Sequence, residues 1–221
     1  MQFLYSEEAG EKTVIVTGEE HKYLFKVRRF EAGKVLSFRN LKDDKVYNYK
    51  IENVSKKEAN LIMIDSYHDR KSSDKVLHIL WCIIDIKVIE KTLPMLNQIG
   101  LSKISFLYCD RSQKNFKPDL ERMKKILVNS CQQSGRSDLM ELEVLSSLDE
   151  AMQKYPDFSV MDFGGESDVE NVSAIMIGCE GGFSDNEREK LKNLRKIGLK
   201  TDFILKSETA AVTFASKYLI L

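Results

Sequence analysis

The sequence has little of what would indicate a secreted or membrane-bound protein. Its longest apolar stretch, around Val76–Ile84, is interrupted by His78 and is far too short to cross a bilayer. The first eight residues lack the basic region and apolar run of a secretory signal. We therefore expect no membrane association and a cytoplasmic location.

Cysteine and histidine are also scarce. Among 221 residues there are four cysteines and three histidines, with no C-x-x-C pair and no clustering of the two residue types. These spacings predict neither a metal site nor a disulfide framework. We expect reduced and mostly buried thiols at Cys82, Cys109, Cys131 and Cys179.

The chain as a whole has no excess of charge, because 34 basic residues balance 34 acidic ones. The distribution along the chain is uneven. Residues 103–136 carry eight Lys and Arg against three acids, whereas residues 137–190 carry fourteen acids against three bases. Such segregation fits one positive face for a polyanionic partner, and it fits a solvated helix and a solvated acidic loop equally well.

The rhythm of apolar residues changes at residues 69–74, a polar stretch typical of a linker. Before it, residues 1–68 contain short β-rich segments between turns, which predict a small β-barrel with one helix at Glu19–Val27. After it, over residues 75–221, strand-like and helix-like segments alternate. This alternation predicts an α/β domain in which helices cover both faces of a parallel sheet.

Individual elements follow from the spacing of the apolar residues. Barrel strands are predicted at Thr13–Thr17, Lys34–Arg39, Val46–Val54 and Asn60–Asp65. Strands of the parallel sheet are predicted at Val76–Ile84, Ile104–Tyr108, Glu143–Leu145, Ser159–Phe163, Ala174–Ile177 and Lys200–Leu205. Helices are predicted at Lys87–Gln98, Asp119–Gln133, Leu148–Tyr155, Asp185–Arg195 and Glu208–Leu221.

The stretch Gly178–Glu187, with the sequence GCEGGFSDNE, indicates a binding turn. It follows a predicted buried strand and contains three glycines, which permit positive φ and close approach to bare backbone. Ser184 and Glu187 have the spacing of a capping box at the start of the next helix. Ligands usually bind at such strand–glycine–helix turns, although a plain tight connection would have the same pattern. The spacing fits neither a dinucleotide fingerprint nor a phosphate-binding loop for nucleoside triphosphates.

A second stretch, Leu205–Ala210, has the sequence LKSETA. Ser207 is predicted to cap the last helix, and Glu208 suits its first turn by its charge. Taken alone, this stretch indicates an ordinary helix start.

Together the two stretches resemble the C-terminal signature of the ribosomal small-subunit uridine-N3 methyltransferases, a branch of the SPOUT superfamily. That signature is G-P-E-G-G-[FL]-[ST]-x-x-E, followed by L-R-[TS]-E-T-A. Upstream, Asp110–Ser112 matches the acidic-Arg-Ser loop of the family, and Gln132–Arg136 is similar to its E-Q-S-G-R. The resemblance extends to the N-terminal part through the family's H…VLR…G pattern, which corresponds here to His21, Val27, Arg28, Arg29 and Gly33.

The chain departs from the family pattern at three positions. Cys179 stands for the family's proline, Gln132 for its glutamate and Lys206 for its arginine. Loss of proline frees φ at the turn, and lysine keeps the charge of arginine without its planar fork. None of these changes removes an obvious chemical group, so we expect an active, diverged member.

The resemblance implies a trefoil-knotted SPOUT methyltransferase domain, a PUA-like RNA-binding barrel and a homodimer. It also implies that S-adenosylmethionine is the methyl donor and lies between the glycine turn and the loop Leu205–Ala210. No metal is implied. The implied cofactor-binding residues are Phe163, Gly178, Glu180, Gly181, Gly182, Ile204, Leu205, Ser207, Glu208, Thr209 and Ala210.

Methylation of uridine at N3 requires loss of the imide proton, and a nearby guanidinium would stabilise the resulting anion. Arg111 and Arg136 are the candidates for this catalytic role, with phosphate contact as the alternative for each. The proton acceptor stays open among bulk water, a phosphate and Glu180. The residues predicted to contact RNA are Arg28, Arg29, Arg111, Lys114 and Arg136.

The predicted activity is therefore methylation of a specific uridine in small-subunit ribosomal RNA. The neutral net charge favours the assembled subunit over bare RNA as substrate. Two alternatives keep RNA as the partner: a SPOUT enzyme that methylates a ribose 2′-hydroxyl, and an inactive RNA-binding or ribosome-assembly protein. A small-molecule oxidoreductase is a third alternative, but the chain lacks its nucleotide fingerprint. Binding of the methyl donor would separate an enzyme from an inactive protein.

Overall fold

The computed structural model describes residues 2–115 and 117–221, which form two compact units. The N-terminal unit runs up to Ser72 and also contains Cys131–Leu139. The C-terminal unit contains Ser73–Ser130 and Met140–Leu221. The pattern of apolar residues changes only once, at residues 69–74. It therefore did not predict that the nine residues Cys131–Leu139 belong to the N-terminal unit.

The N-terminal unit is built on a five-stranded sheet with the order β1–β3–β4–β5–β2. Only β1 and β3 run parallel. The other neighbours are antiparallel; β3–β4 and β4–β5 follow one another along the chain, whereas β2 and β5 are distant in sequence. Alternating side chains point into a core that includes Val14, Phe38 and Ile51, as period-two patterning requires. The strands are β1 (Leu4–Tyr5), β2 (Thr13–Thr17), β3 (Val35–Arg39), β4 (Lys45–Val54) and β5 (Glu58–His68).

The helix predicted at Glu19–Val27 has two parts. The helix α1 (Gly18–His21) continues into a π-helical segment, Lys22–Val27, in which Arg28 N donates to Tyr23 O over 2.9 Å. The wider π winding changes which side chains share a face. Leu24 is fully buried, but Tyr23 and Val27 are exposed, so these apolar side chains do not form one buried face.

The C-terminal unit contains a six-stranded parallel sheet with the order β11–β9–β10–β6–β7–β8. All five residues of its central strand β6 are buried, as expected for a strand that is covered on both faces. The strands are β6 (His78–Cys82), β7 (Lys103–Leu107), β8 (Glu141–Leu145), β9 (Ser159–Glu166), β10 (Ala174–Ile177) and β11 (Lys196–Ile197). The helices are α2 (Ile86–Ile99), α3 (Leu120–Ser134), α4 (Leu148–Lys154), α5 (Asp185–Leu191) and α6 (Ser207–Leu219).

One predicted strand of this unit was wrong, and one predicted helix was too long. Residues 200–205 form no strand, and the helix predicted to reach Arg195 ends at Leu191 so that the chain can form β11. Phe203 and Ile204 are 78% and 84% exposed. Their apolar character therefore belongs to a surface loop and not to a buried strand.

The cysteines only partly follow the prediction. Cys82 and Cys109 form a disulfide with a Cα–Cα distance of 5.7 Å, whereas Cys131 and Cys179 are free and buried as expected. Cys82 ends β6, and Cys109 follows the neighbouring strand β7. Because parallel strands end at one edge of a sheet, their pairing brings together thiols that are 27 residues apart. Among the residues that the structure describes, none of the helices has the length and apolar character of a membrane span, and no group of three or more His, Cys, Asp or Glu side chains is arranged to hold a metal ion.

A buried polar cluster joins three neighbouring strands of this unit. The Ser105 hydroxyl donates to Glu143, so the contact of 2.6 Å between His78 Nε2 and Ser105 Oγ has His78 as its donor. Burial lowers the pKa of His78 to about 4, and Lys103 acts in the same direction. Burial works to raise the pKa of Glu143, but hydrogen bonds from Lys154, Ser105 and Tyr155 outweigh it and hold that pKa at about 2.

Both pKa shifts predict that acid destabilises the C-terminal unit. In the unfolded chain His78 takes up a proton below about pH 6.5, whereas in the folded protein it stays neutral down to about pH 4. The unfolded state thus binds more protons in this window, and the free energy of unfolding falls as the pH drops through it. The lowered pKa of Glu143 extends this loss of stability to lower pH, between its ordinary pKa of 4.5 and its folded-state pKa of about 2.

Denaturant titrations followed by the fluorescence of Trp81, the single tryptophan, should measure this pH dependence. We expect the free energy of unfolding to fall by roughly 1–2 kcal/mol between pH 7 and pH 4.5. His78→Gln should flatten that slope, because glutamine does not titrate. The matched variant at the exposed His68, His68→Gln, should keep it. If His78→Gln kept the wild-type dependence of the free energy of unfolding on pH, His78 would not be its cause.

Candidate functional site

A cavity of about 510 Å³ opens in the C-terminal unit beyond the end of β10. Most of its lining comes from three segments: residues 161–164 of β9, residues 177–183, and residues 198–207, an irregular loop that ends at the first residue of α6. This volume lies within the range of small-molecule sites, about 300–1,000 Å³. The two motifs singled out in the sequence therefore meet in one cavity.

The glycine turn presents bare backbone to the cavity. Gly182 has a φ of +65°, and its N–H closes the turn by donating to Cys179 O over 2.9 Å. A side chain would be strained at this φ, which explains the glycine. Burial raises the pKa of the Cys179 thiol, so this residue is a neutral part of the wall and not a nucleophile.

The predicted capping box at the start of α5 is present and has a further function in the fold. Ser184 Oγ accepts from Glu187 N over 3.2 Å, and Glu187 Oε2 accepts from Ser184 N over 2.8 Å. The other oxygen of the buried Glu187 accepts from Asp110 N over 2.8 Å. One carboxylate therefore holds both the glycine turn and the loop that carries Asp110–Ser112.

Arg111 lies directly against the glycine turn. Its Nη1 donates to Gly181 O over 2.6 Å, and a Cβ at Gly181 would lie 3.2 Å from Arg111 Cδ. The guanidinium is solvent-exposed and has five N–H donors in all. Arg111 can therefore hold the turn and still offer donors to a ligand.

Ser207 ties the two cavity walls together, and the prediction that it caps α6 was wrong. The N-cap is Lys206, and Ser207 is the first helical residue. The buried Ser207 hydroxyl accepts from Trp81 Nε1 over 2.8 Å and donates to Gly178 O over 2.6 Å. The hydroxyl therefore pairs the indole N–H of Trp81 and the carbonyl of Gly178, two polar groups on distant segments. Each would be costly to bury without a partner.

The cavity is also shaped by a backbone crossing between β9 and β11. A Cβ at Gly165 would lie only 2.7 Å from the carbonyl carbons of Lys196 and Ile197. A Cβ at Gly198 would lie 2.8 Å from Gly165 O. Only glycine fits such a close approach, and the crossing sends the chain into the loop that closes the cavity.

The predicted cofactor-binding residues divide into two groups. Nine of the eleven line the cavity: Phe163, Gly178, Glu180, Gly181, Gly182, Ile204, Leu205, Ser207 and Ala210. Glu208 and Thr209 are not among the lining residues and lie on the first turn of α6.

The predicted catalytic and RNA-contacting residues lie in both units. Arg111 and the exposed Lys114 belong to the C-terminal unit. Arg136 belongs to the N-terminal unit, is 6% exposed and binds both carboxylate oxygens of Asp138. Exposed Arg28 and Arg29 also lie in the N-terminal unit.

Sequence reasoning missed an ion pair in the cavity wall. Arg188 Nη1 donates to Asp162 Oδ2 over 2.6 Å, and both residues line the cavity. The two residues lie 26 positions apart in segments whose motifs gave no sign of pairing. The general expectation that residues at strand ends face ligands is the one signal that points to Asp162.

Two family models match the chain. The model described as RNA methyltransferase domain matches residues 71–219. The model described as RNA methyltransferase PUA domain matches residues 16–64. The two matches together take in most of both units.

Curated relatives are similar over nearly the full length. The protein named ribosomal RNA small subunit methyltransferase E from Helicobacter pylori strain J99 is 42% identical over 98% of each chain. Its counterpart from strain 26695 has the same identity and coverage.

Solved structures share the fold at lower identity. A ribosomal RNA small subunit methyltransferase E from Neisseria gonorrhoeae, bound to S-adenosyl methionine, superposes with a TM-score of 0.84 at 18% identity. It covers 98% of this chain and 96% of its own. A structure from Porphyromonas gingivalis superposes with a TM-score of 0.85 at 18% identity, over 99% and 98% of the two chains. The predicted fold class, a parallel sheet flanked by helices with a smaller PUA-like N-terminal unit, is confirmed, although the five strands of that unit form an open sheet whose end strands β1 and β2 do not pair.

Proposed function

The chain belongs to the RNA methyltransferase family, and we propose that it methylates N3 of a uridine in small-subunit ribosomal RNA with S-adenosylmethionine as donor. The observation that carries the proposal is the cavity in which the glycine turn meets the loop 198–207. Ser207 joins these segments through Gly178. Full-length relatives at 42% identity carry the name ribosomal RNA small subunit methyltransferase E.

The volume and the lining of the cavity suit the proposed donor. Its bare turn backbone suits close approach by a planar base, and half-buried or exposed apolar side chains line the other wall at Phe163, Ile204 and Leu205. Backbone N–H and C=O groups in such a wall can read an adenine edge. When bound, S-adenosylmethionine supplies an electrophilic methyl group on its sulfonium.

Arg111 is the better placed of the two candidate arginines. Its guanidinium is exposed and fixed to the cavity wall through Gly181 O, so it can stabilise negative charge as uridine N3 loses its proton. Arg136 is buried and binds Asp138 in two-point fashion. That pairing suits a structural role and leaves little guanidinium surface for a base or a phosphate.

The proposal has further parts that concern partners and location. Exposed Arg28, Arg29 and Lys114 are proposed to contact phosphates. The substrate is proposed to be the assembled small subunit, because the neutral chain lacks the charge for tight binding to bare RNA. The enzyme is proposed to act in the cytoplasm as a homodimer, with α6 at the interface.

Nucleoside mass spectrometry of small-subunit ribosomal RNA from a deletion strain tests the proposal. We expect one N3-methyluridine to disappear and to return with the wild-type gene. Purified enzyme with labelled donor should methylate small subunits from the deletion strain faster than free ribosomal RNA. Loss of a ribose methyl group would favour the 2′-hydroxyl alternative. An unchanged set of methylated nucleosides would favour an inactive RNA-binding protein.

A further inference from the structure

The ion pair of Asp162 and Arg188 is a charged feature of the cavity that no sequence motif marks. The Asp162 side chain is 11% exposed and the Arg188 side chain is 44% exposed. The carboxylate is therefore largely withdrawn from water, whereas the guanidinium is more accessible, and both residues line the cavity. Two other charged residues, Glu180 and Lys206, line the cavity and are exposed.

Both members of the pair keep hydrogen-bonding capacity. Asp162 Oδ1 accepts from Phe163 N over 3.0 Å, and Oδ2 accepts from Arg188 Nη1 over 2.6 Å. A carboxylate has about four lone-pair sites, so roughly two remain for another donor. The hydrogen bond from Arg188 to Asp162 uses one of the five N–H donors of the guanidinium. The pair can therefore bind a second pair of opposite charges without breaking.

Resting on the proposed function, we propose that Asp162 and Arg188 bind the amino-acid end of S-adenosylmethionine. The α-ammonium is recognised by the Asp162 carboxylate, and the α-carboxylate is recognised by the free edge of the Arg188 guanidinium. The amino-acid end is a zwitterion, so its ammonium can face the Asp162 carboxylate while its carboxylate faces the Arg188 guanidinium. Charge-assisted hydrogen bonds of this kind are about twice as strong as neutral ones, and a guanidinium suits a carboxylate in two-point geometry.

The low exposure of Asp162 makes it a stronger partner for the ammonium than Glu180. A charge pair is attenuated less where water is excluded, and Glu180 is solvent-exposed. Lys206 could offer a single charge to the α-carboxylate, but it lacks the planar fork of Arg188.

Calorimetric titration with three ligands tests the proposal. S-adenosylmethionine and S-adenosylhomocysteine carry the amino-acid end, and 5′-methylthioadenosine lacks it. Asp162→Asn and Arg188→Gln should each weaken the first two ligands by about tenfold or more. Binding of 5′-methylthioadenosine should change by less than about twofold, which also shows that the variants are folded.

The matched control is Arg195→Gln, which breaks an ion pair with Glu166 at a position that does not line the cavity. This control should leave all three affinities near those of the wild type. Equal weakening of all three ligands by Asp162→Asn and Arg188→Gln would overturn the proposal, as would no weakening. Weaker binding of S-adenosylmethionine alone would also overturn it, because S-adenosylhomocysteine has the same amino-acid end without the sulfonium. The pair would then interact with the sulfonium charge. Failure of the wild type to bind S-adenosylmethionine would instead contradict the proposed function.

Discussion

Gly181→Arg is expected to abolish binding of S-adenosylmethionine. A Cβ at this position would lie 3.2 Å from Arg111 Cδ and 3.3 Å from Arg111 Cβ. The new side chain must therefore either displace Arg111 from the Gly181 carbonyl or enter the cavity. The first outcome loosens the turn and places two guanidinium groups side by side, and the second fills the space that the ligand needs. We expect affinity to fall by roughly a hundredfold or more, measured by calorimetric titration.

The fold should survive this substitution, because Gly181 is exposed and is not among the positive-φ glycines. The matched control is Asn186→Arg, which adds the same charge at an exposed position of α5 outside the cavity lining. It should bind S-adenosylmethionine like the wild type. Wild-type affinity in Gly181→Arg would mean that the ligand does not use the glycine turn. In that case the site assignment would have to be abandoned.

Gly165→Ala is expected to destabilise the C-terminal unit by about 3 kcal/mol, because an added methyl group would overpack a backbone crossing. The new Cβ would meet the carbonyl carbons of Lys196 and Ile197 at 2.7 Å, and these backbone atoms cannot rotate away as a side chain could. Separation of β9 from β11 is the remaining way to relieve the contact. Denaturant titration followed by Trp81 fluorescence measures the loss.

The neighbouring Gly164 provides the control for this prediction. It has a φ of +71°, and a Cβ there would meet no atom within 4 Å. Gly164→Ala should therefore cost only the conformational strain of an L-residue in the left-handed region, about 1 kcal/mol. Equal losses in the two variants would contradict an overpacked backbone crossing at Gly165, since Gly165 is not among the positive-φ glycines.

Local chemistry explains which parts of the fold and site were predictable from sequence. The capping box of Ser184 and Glu187 depends on atoms three residues apart, and its predicted geometry is present. The strand Ala174–Ile177 was predicted with its observed bounds, because a short apolar run before a glycine turn has few other structures open to it. These interactions have the same partners in any fold that contains the segment.

The predictions that were wrong mostly concern residues whose contacts lie far away in the sequence. Ser207 has the local pattern of a helix cap, but its hydroxyl bonds to Trp81, 126 residues away. The predicted strand near residue 204 was wrong because apolar character alone does not distinguish a buried strand from a loop that lines a cavity. The disulfide of Cys82 and Cys109 depends on the pairing of β6 with β7.

The sequence by itself determined the family, the alternation of strands and helices along the C-terminal part of the chain, and the two motifs that form the cavity. These follow from residue types at short spacings, where the chain's covalent geometry limits the possible contacts. Only the tertiary structure decided the pairing of Asp162 with Arg188, the crossing at Gly165 and Gly198, and the attachment of Arg111 to the glycine turn. Each of these joins segments whose separation is set by strand order, and no short-range rule encodes that order.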